Sequence, residues 1–353
     1  MSEKAVVAMS GGVDSSVAAA LMKDAGYDVT GIMLKLWKGP AADNESGCCS
    51  LDAAEDARRV AQVLDIPFYV FNFADYFSEA VTAKFLAAYS AGRTPNPCIE
   101  CNRSVKFSAL HRRARALGAS VLATGHYARL WTDGDDVRLL RGSDNSKDQS
   151  YVLYMLGQEE LRSARFPVGE YSKPEIREMA SSLGLRTANK PESQEICFVP
   201  GGDVHAYLSD QLPLGSVEGP IVNSKGERVG THRGYAHYTV GQRRGLGITA
   251  HRPLFVQEIR AGSNTLVVAP RGVTITDLTL EDVSFTSDIP EAGLRASVMT
   301  RYRGPEAEAT IQKEGSIWSV EFDEPQAPPA PGQAAVFYRG DEVIGGGTIT
   351  KAR

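Results

Sequence analysis

The chain has 353 residues, more than one hydrophobic core usually serves, so two or three domains are expected. Its 42% hydrophobic and 23% charged residues exclude wholesale disorder, and no apolar run approaches the length that spans a bilayer. A net charge of −5 excludes a surface coated all over with basic nucleic-acid contacts but leaves room for a local basic face.

The opening MSEKAVVAMSGG has too short an apolar run for an export signal and leads into a glycine turn, so a cytoplasmic protein with no membrane partner is expected. Ala5 to Met9 reads as a first strand, Ser15 to Ala25 as a helix stopped by Gly26, and Val29 to Leu34 as a second strand. A helix over Leu51 to Leu64 and a strand over Phe68 to Phe71 follow. Phe77 to Ala91 is helical, Pro95 and Pro97 break it, and a basic helix runs on to about Gly118. Ser120 to Thr124 is the next strand and closes on Gly125 and His126. Strands alternating with longer amphipathic segments predict an α/β domain with a parallel sheet, over residues 1–200. Ser10, Leu34 and Gly125 all fall at carboxyl ends of strands, where such sheets collect their functional groups.

From about Gly201 to Pro270 the sequence turns glycine- and arginine-rich without long helical periods, which reads as a small middle domain over 201–270. Short β-type runs at Leu294 to Tyr302, Ile317 to Phe322 and Ala334 to Tyr338 predict a C-terminal β-barrel over 271–353.

SGGVDSS, Ser10 to Ser16, sits between a predicted strand and a predicted helix. Backbone N–H groups around Gly11 and Gly12 would converge there on an anion at a positive helix end. The segment lacks the GxxxxGK(S/T) pattern with its lysine, so it is no Walker A loop. Ser10, Ser15 and Ser16 offer hydroxyls, and Asp14 could hold Mg²⁺ on a departing pyrophosphate. A tight turn capped by Ser and Asp is the plainer alternative, but the strand-to-helix context favours phosphate binding. The segment resembles the PP-loop of ATP pyrophosphatases, which cleave ATP between the α- and β-phosphates and adenylate an oxygen. That resemblance implies a Rossmann-like fold and assigns ATP to Ala8, Met9, Ser10, Gly11, Gly12, Val13, Asp14 and Ser15, with Leu34 and Gly125 at adenine and ribose.

Five cysteines, an odd number unevenly clustered, fit reduced thiols kept for chemistry. RTPNPCIECN puts Cys98 and Cys101 in a proline-stiffened loop entering a helix, whose dipole favours a thiolate, with Arg103 and Lys106 adding positive charge. Cys197 lies in ESQEICFVP. One Cys-x-x-Cys with a lone distant cysteine supplies only three ligands for a structural zinc site, the weakest reading. A three-thiolate iron–sulfur cluster on Cys98, Cys101 and Cys197 is a second reading. Sulfur transfer, in which one cysteine carries a persulfide and another attacks it, is preferred. Cys48 and Cys49 read as incidental thiols at a loop-to-helix junction.

In order, SGGVDSS, TPNPCIECN, TGHYAR, KDQSY, ESQEICF and GQRRGLGI resemble the tRNA-specific 2-thiouridylase family from Ser10 to Ile248, and the rest matches its barrel more loosely. The resemblance implies that the uridine C2 oxygen is adenylated by ATP and replaced by sulfur at the wobble position of lysine, glutamate and glutamine tRNAs. It makes Cys197 the persulfide carrier, loaded by a sulfur-carrier protein, and Cys101 the thiol that frees the sulfur or forms a Cys101–Cys197 disulfide. Asn96, Pro97 and Cys98 become the loop that holds a base pulled from the anticodon stem-loop. Some members carry Asp where Cys98 stands. His126, Lys147, Asp148, Gln149, Arg301, Tyr302 and Gln333 match tRNA-contacting positions.

The middle segment has Lys225, Arg228, Arg233, Arg243, Arg244 and Arg252 against Glu227, interleaved with Tyr235 and Tyr238, a mixture suited to phosphate contact and base stacking. The rival enzyme reading is another PP-loop ligase adenylating a small molecule, which needs no cysteine set. A non-catalytic RNA- or metal-binding module needs neither Asp14 nor ATP.

Overall fold

The structure is a computed structural model and describes residues 2–36, 51–192, 196–270, 274–288 and 293–352. Cys48, Cys49 and Ser193 to Glu195 of the ESQEICF motif lie outside the described residues.

The strands β1 (Lys4–Ala8), β2 (Asp28–Lys35), β3 (Phe68–Asn72) and β4 (Val121–Thr124) lie within a residue or two of the expected runs. With a two-residue strand β7 (Ala164–Arg165) they form one parallel sheet in the order β3-β2-β1-β4-β7. Ala5, Val6 and Val7 are all nearly inaccessible, as expected of a central strand covered on both faces. Helix α1 (Val13–Asp24) is alanine-rich and buried on most sides, because it packs on the sheet and also against the helix Lys173–Ser182. The helical run 74–90 is π-wound over Ser78–Thr82, and the run 97–116 is π-wound over Cys101–Leu110. Asn96 caps the second run by accepting from the Cys98 amide at 3.1 Å, with Pro97 as first helical residue.

Strands β5 (Ala128–Asp133) and β6 (Asp136–Arg141) form a hairpin that the elements read from the sequence did not include. Its signal is alternation in ARLWTD and DVRLLR around Gly134. The hairpin leaves the parallel sheet and joins the C-terminal one.

The middle region holds a four-stranded sheet in the order β10-β11-β8-β9, from β8 (Gly219–Asn223), β9 (Arg228–His232), β10 (Leu254–Arg260) and β11 (Thr265–Pro270). The C-terminal strands are β12 (Ile275–Phe285), β13 (Leu294–Met299), β14 (Glu306–Glu314), β15 (Ile317–Gln326), β16 (Ala334–Arg339) and β17 (Glu342–Ala352). β12 pairs with both β15 and β17, which closes six antiparallel strands into the expected barrel and leaves it no open edge. Val298, Ala309, Ile311, Val320, Phe337 and Ile349 fill its interior. β17 then pairs outward with β6, Glu342 opposite Leu140 and Val343 opposite Leu139, tying the barrel to the first domain. Among the described residues no helix is long and apolar enough to cross a membrane.

Candidate active site

β1 ends at Ala8, and the chain turns through Met9, Ser10 and Gly11 into α1. Gly12 caps α1 with no side-chain bond to the first amides of the helix, the arrangement found at helix starts that receive anions. The turn is held from within. Ser15 Oγ and Ser16 Oγ donate to the Gly12 carbonyl at 3.1 and 2.8 Å, and the Ser10 amide donates to Ser15 Oγ at 3.1 Å. Gly11 has φ +72°, and a Cβ there would stand 2.2 Å from the Ala53 carbonyl oxygen. At the end of β4, a Cβ on Gly125 would stand 2.7 Å from the Ser15 amide nitrogen. The structure thus brings Gly125 against the first turn of α1, while Leu34 lies buried at the end of β2.

A charged network surrounds this loop. Asp14 accepts from Lys173 Nζ on both carboxylate oxygens, at 2.7 and 2.8 Å, and from Tyr127 Oη at 2.8 Å. Lys173 Nζ is also 3.3 Å from Glu192, which accepts from Lys147 Nζ at 2.8 and 2.9 Å. The Lys147 and Lys173 ammonium groups hold the Glu192 carboxyl down to about 2, against partial burial that raises it. Lys190 Nζ reaches the Gly11 carbonyl at 3.1 Å and Asp56 at 2.7 Å. Burial, followed by the Asp14 charge, pushes the Tyr127 hydroxyl far above its ordinary range, so it donates as a neutral phenol.

Sequence reasoning missed Tyr127, Lys173, Glu192, Lys190 and Asp56. Tyr127 stands beside His126 in TGHYAR. Lys173 opens a helix with a Ser172–Glu175 capping box, a place where helix dipoles favour acids, and that inversion was a usable signal. The hard oxygen of Asp14 suits Mg²⁺, though here both its carboxylate oxygens are taken by Lys173.

The thiols lie on the other side of the sheet domain. Cys101, 7% exposed, belongs to the apolar cluster that contains Phe77, Phe85 and Phe198, and Cys197 packs against the same cluster. Phe198 is the anchor: its ring meets Phe77 at 5.7 Å and Phe85 at 5.2 Å, edge-on in both cases. Cys98 is exposed, in the first turn of the 97–116 run. Among the described residues no three His, Cys, Asp or Glu side chains are grouped to hold a metal, so Cys98, Cys101 and Cys197 as they stand do not fit a three-thiolate cluster.

The loop before Cys98 is gripped from three sides. The Thr94 amide donates to the Pro331 carbonyl at 2.7 Å, and Gln333 Nε2 donates to the Thr94 carbonyl at 2.7 Å. Thr94 Oγ1 meets Thr239 Oγ1 at 3.2 Å, Tyr235 Oη donates to the Ser90 carbonyl at 3.0 Å, and Arg93 pairs with Glu281 at 2.7 Å.

KDQ is woven into the same frame. Asp148 accepts from the Gly142 and Ser150 amides at 3.0 and 3.1 Å, and Gln149 brackets Tyr127 by accepting from its amide at 3.1 Å and donating to its carbonyl at 2.8 Å. Tyr302 Oη donates to the Asp148 carbonyl at 3.0 Å, and a thiolate at Cys98 lies close enough to help push the Tyr302 hydroxyl up, after burial as the main cause. Arg301 sits in the turn after β13. His126 is buried between Phe107 and Phe166, each ring 6.1 Å away, and shares a 2.7 Å hydrogen bond with Thr124. Burial first and Lys106 second hold it neutral.

In the middle region Arg243 and Arg252, on the segment between β9 and β10, line an open cavity of about 540 Å³. Tyr235 and Tyr238, expected to stack on bases, are instead core residues at 8% and 5% exposed. A small sheet needs large side chains to bury, and a residue alternating with arginines can face inward.

Three family models match the chain: tRNA methyl transferase HUP domain over residues 3–201, tRNA methyl transferase PRC-barrel domain over 206–270, and Aminomethyltransferase beta-barrel domain over 275–349. The tRNA-specific 2-thiouridylase MnmA of Moorella thermoacetica is 49% identical over 352 residues, covering 98% of each chain. That of Geobacter metallireducens is 47% identical over 364 residues, covering 100% of this chain and 99% of its own. Among solved structures, a 4-thiouridine synthetase–RNA complex with bound ATP shares 18% identity over 60% of this chain and 50% of that one, with a TM-score of 0.36, too slight a likeness to bear on function.

Proposed function

The chain belongs to the tRNA-specific 2-thiouridylase family, as a tRNA-uridine 2-sulfurtransferase with a PP-loop domain, and on that premise we propose a division of labour between its two groups of residues. The observation that carries the proposal is that Cys197, remote in sequence, packs on the cluster that contains Cys101, while the phosphate loop stands at the carboxyl ends of the same sheet. Methyl transfer, the chemistry printed for two of the matching domains, has no use for two thiols on one apolar cluster of a domain that also carries an ATP loop.

ATP binds with its phosphates on the amides of Gly11, Gly12 and Val13, and Gly125 and Leu34 border the nucleoside. The C2 oxygen of a uridine held by Asn96, Pro97 and Cys98 attacks the α-phosphorus, pyrophosphate leaves, and the oxygen becomes part of a good leaving group, AMP. Mg²⁺, when bound at Asp14, neutralises charge on the leaving pyrophosphate.

A sulfur-carrier protein passes its terminal persulfide sulfur to the Cys197 thiol and keeps its own thiol. The terminal sulfur of the Cys197 persulfide attacks C2, the C2–O bond breaks, and AMP departs with the electron pair. The Cys101 thiolate then attacks the Cys197 sulfur, the S–S bond to the transferred sulfur breaks, and 2-thiouridine leaves with a Cys101–Cys197 disulfide behind. A dithiol reductant resets the pair. This chemistry uses a disulfide and needs no iron–sulfur cluster. The substrates are the wobble uridines of lysine, glutamate and glutamine tRNAs, in the cytoplasm, with Lys147, Arg301, Tyr302 and the arginines of the middle region on the anticodon stem-loop.

The test supplies ATP, Mg²⁺, a persulfide donor and unmodified tRNA, and examines the wobble nucleoside by mass spectrometry. One oxygen-to-sulfur exchange per tRNA, dependent on ATP, is expected. Unchanged uridine, or sulfur incorporated equally without ATP, would defeat the reading.

A further inference from the structure

SGGVDSS contains no cation of its own to set against the several charges of a polyphosphate. The one charged residue in the loop, Asp14, carries the wrong sign for a polyphosphate. Three ammonium groups nevertheless reach the loop or its acidic neighbours: Lys173 on Asp14 and Glu192, Lys147 on Glu192, and Lys190 on Asp56 and the Gly11 carbonyl. Three carboxylates answer them, so this surround is close to neutral.

Lys173 is the most deeply placed. Its side chain is 8% exposed and lies 5.6 Å from the centre of the Tyr127 ring. Taking an ammonium out of water costs several kcal/mol unless it is paired, and Asp14 meets that need here with both oxygens. The backbone beneath is fixed, since the Lys173 amide donates to Asp144 at 3.1 Å and the capping box holds the helix start. The four-carbon stem and three donors of lysine let the head swing while the backbone stays.

Resting on the adenylation reading above, we propose that Lys173 is the phosphate-binding lysine that the loop lacks, held on Asp14 until ATP arrives and then handed to its β- and γ-phosphates as Asp14 turns to Mg²⁺. The exchange keeps every charge paired. Asp14 trades an ammonium for a divalent cation, and Lys173 trades a carboxylate for phosphate oxygens. Glu192 stays within reach of the ammonium and remains paired with Lys147. AMP lacks the β- and γ-phosphates and so gains nothing from Lys173.

The test is isothermal titration of ATP and of AMP, each with Mg²⁺, into the full chain and into Lys173→Gln. Glutamine still donates a hydrogen bond to Asp14 and is chosen to keep the fold, which a thermal melt checks. ATP binding is expected to weaken about thirtyfold, the scale of a lost charge-assisted hydrogen bond, with AMP binding changed less than about twofold. Lys173→Arg should recover part of the ATP affinity. Equal losses for ATP and AMP would mark Lys173 as a structural residue, and no loss for ATP would dismiss it, and either result overturns the proposal. Should Lys173→Gln not fold, Asp14→Asn with Lys173→Gln, read against Asp14→Asn alone, must show the same split between the nucleotides or the proposal fails. A wild-type chain that binds neither nucleotide would instead remove the adenylation reading, and Lys173 with it.

Discussion

The phosphate loop and the cysteine loop are built in opposite ways. Residues 10–16 are shaped by their own serines and by groups of the same sheet domain: Ala53, Gly125, Tyr127, Lys173 and Lys190. The stretch before Cys98 is held from outside, by Pro331 and Gln333 of the barrel and by Thr239 and Tyr235 of the middle region. A nucleotide site can therefore form from one domain, whereas the loop before Cys98 reports on the placement of all three. RNA bound across the barrel and the middle sheet would be felt first at Thr94 to Cys98.

The largest effect expected is at the self-contained loop. Gly11→Ala must put a Cβ 2.2 Å from the Ala53 carbonyl oxygen at φ +72°, strain of about 1–3 kcal/mol before the clash is relieved. ATP affinity should fall roughly a hundredfold in a binding titration, with the reactivity of Cys98 towards an alkylating reagent unchanged. A change at Cys98 of similar size would break the contrast between the two loops.

Gln333→Ala tests the other side. It removes the bond to the Thr94 carbonyl, worth about 1 kcal/mol. Thiolation should drop about fivefold at unchanged ATP affinity. Loss of ATP affinity in step with thiolation would show that the barrel also shapes the nucleotide site.

The smallest effect concerns pH. His126 is buried with its pKa held below the ordinary value near 6.5, so the unfolded chain binds its proton first as the pH falls. The stability it contributes is complete above the unfolded value and lost as pH falls below it towards the folded one. Urea melts at pH 7.5 and pH 5 should show wild type losing more stability than His126→Asn. Equal losses would mean that the imidazole titrates as it does in water.

Much of this was legible in the chain because it is local. The apolar runs of β1 to β4, the Asn96–Pro97 helix start and the Gly11–Gly12 turn depend on neighbours a few residues away. What escaped is non-local. The β5–β6 hairpin has a visible alternation, but its second partner, Glu342 to Val343, lies in the last strand of the barrel. Lys173 meets Asp14 only because its helix packs on α1, and Cys197 reaches the Cys101 cluster through the packing of Phe198. Tyr235 and Tyr238 misled because an aromatic among arginines has the same pattern whether it faces a core or a base.

The central claim is that adenylation is complete without the thiols and sulfur delivery is not. Its most direct measurement is tRNA-dependent release of pyrophosphate from ATP by Cys197→Ser, followed in a rapid-mixing assay beside the sulfur content of the tRNA. The account predicts a pyrophosphate burst approaching one per active site with no sulfur on the uridine, and for Cys101→Ser the same burst with the transferred sulfur held between the uridine and Cys197 and no free 2-thiouridine released. Absence of the burst, or 2-thiouridine formed by either variant at the wild-type rate, would contradict it.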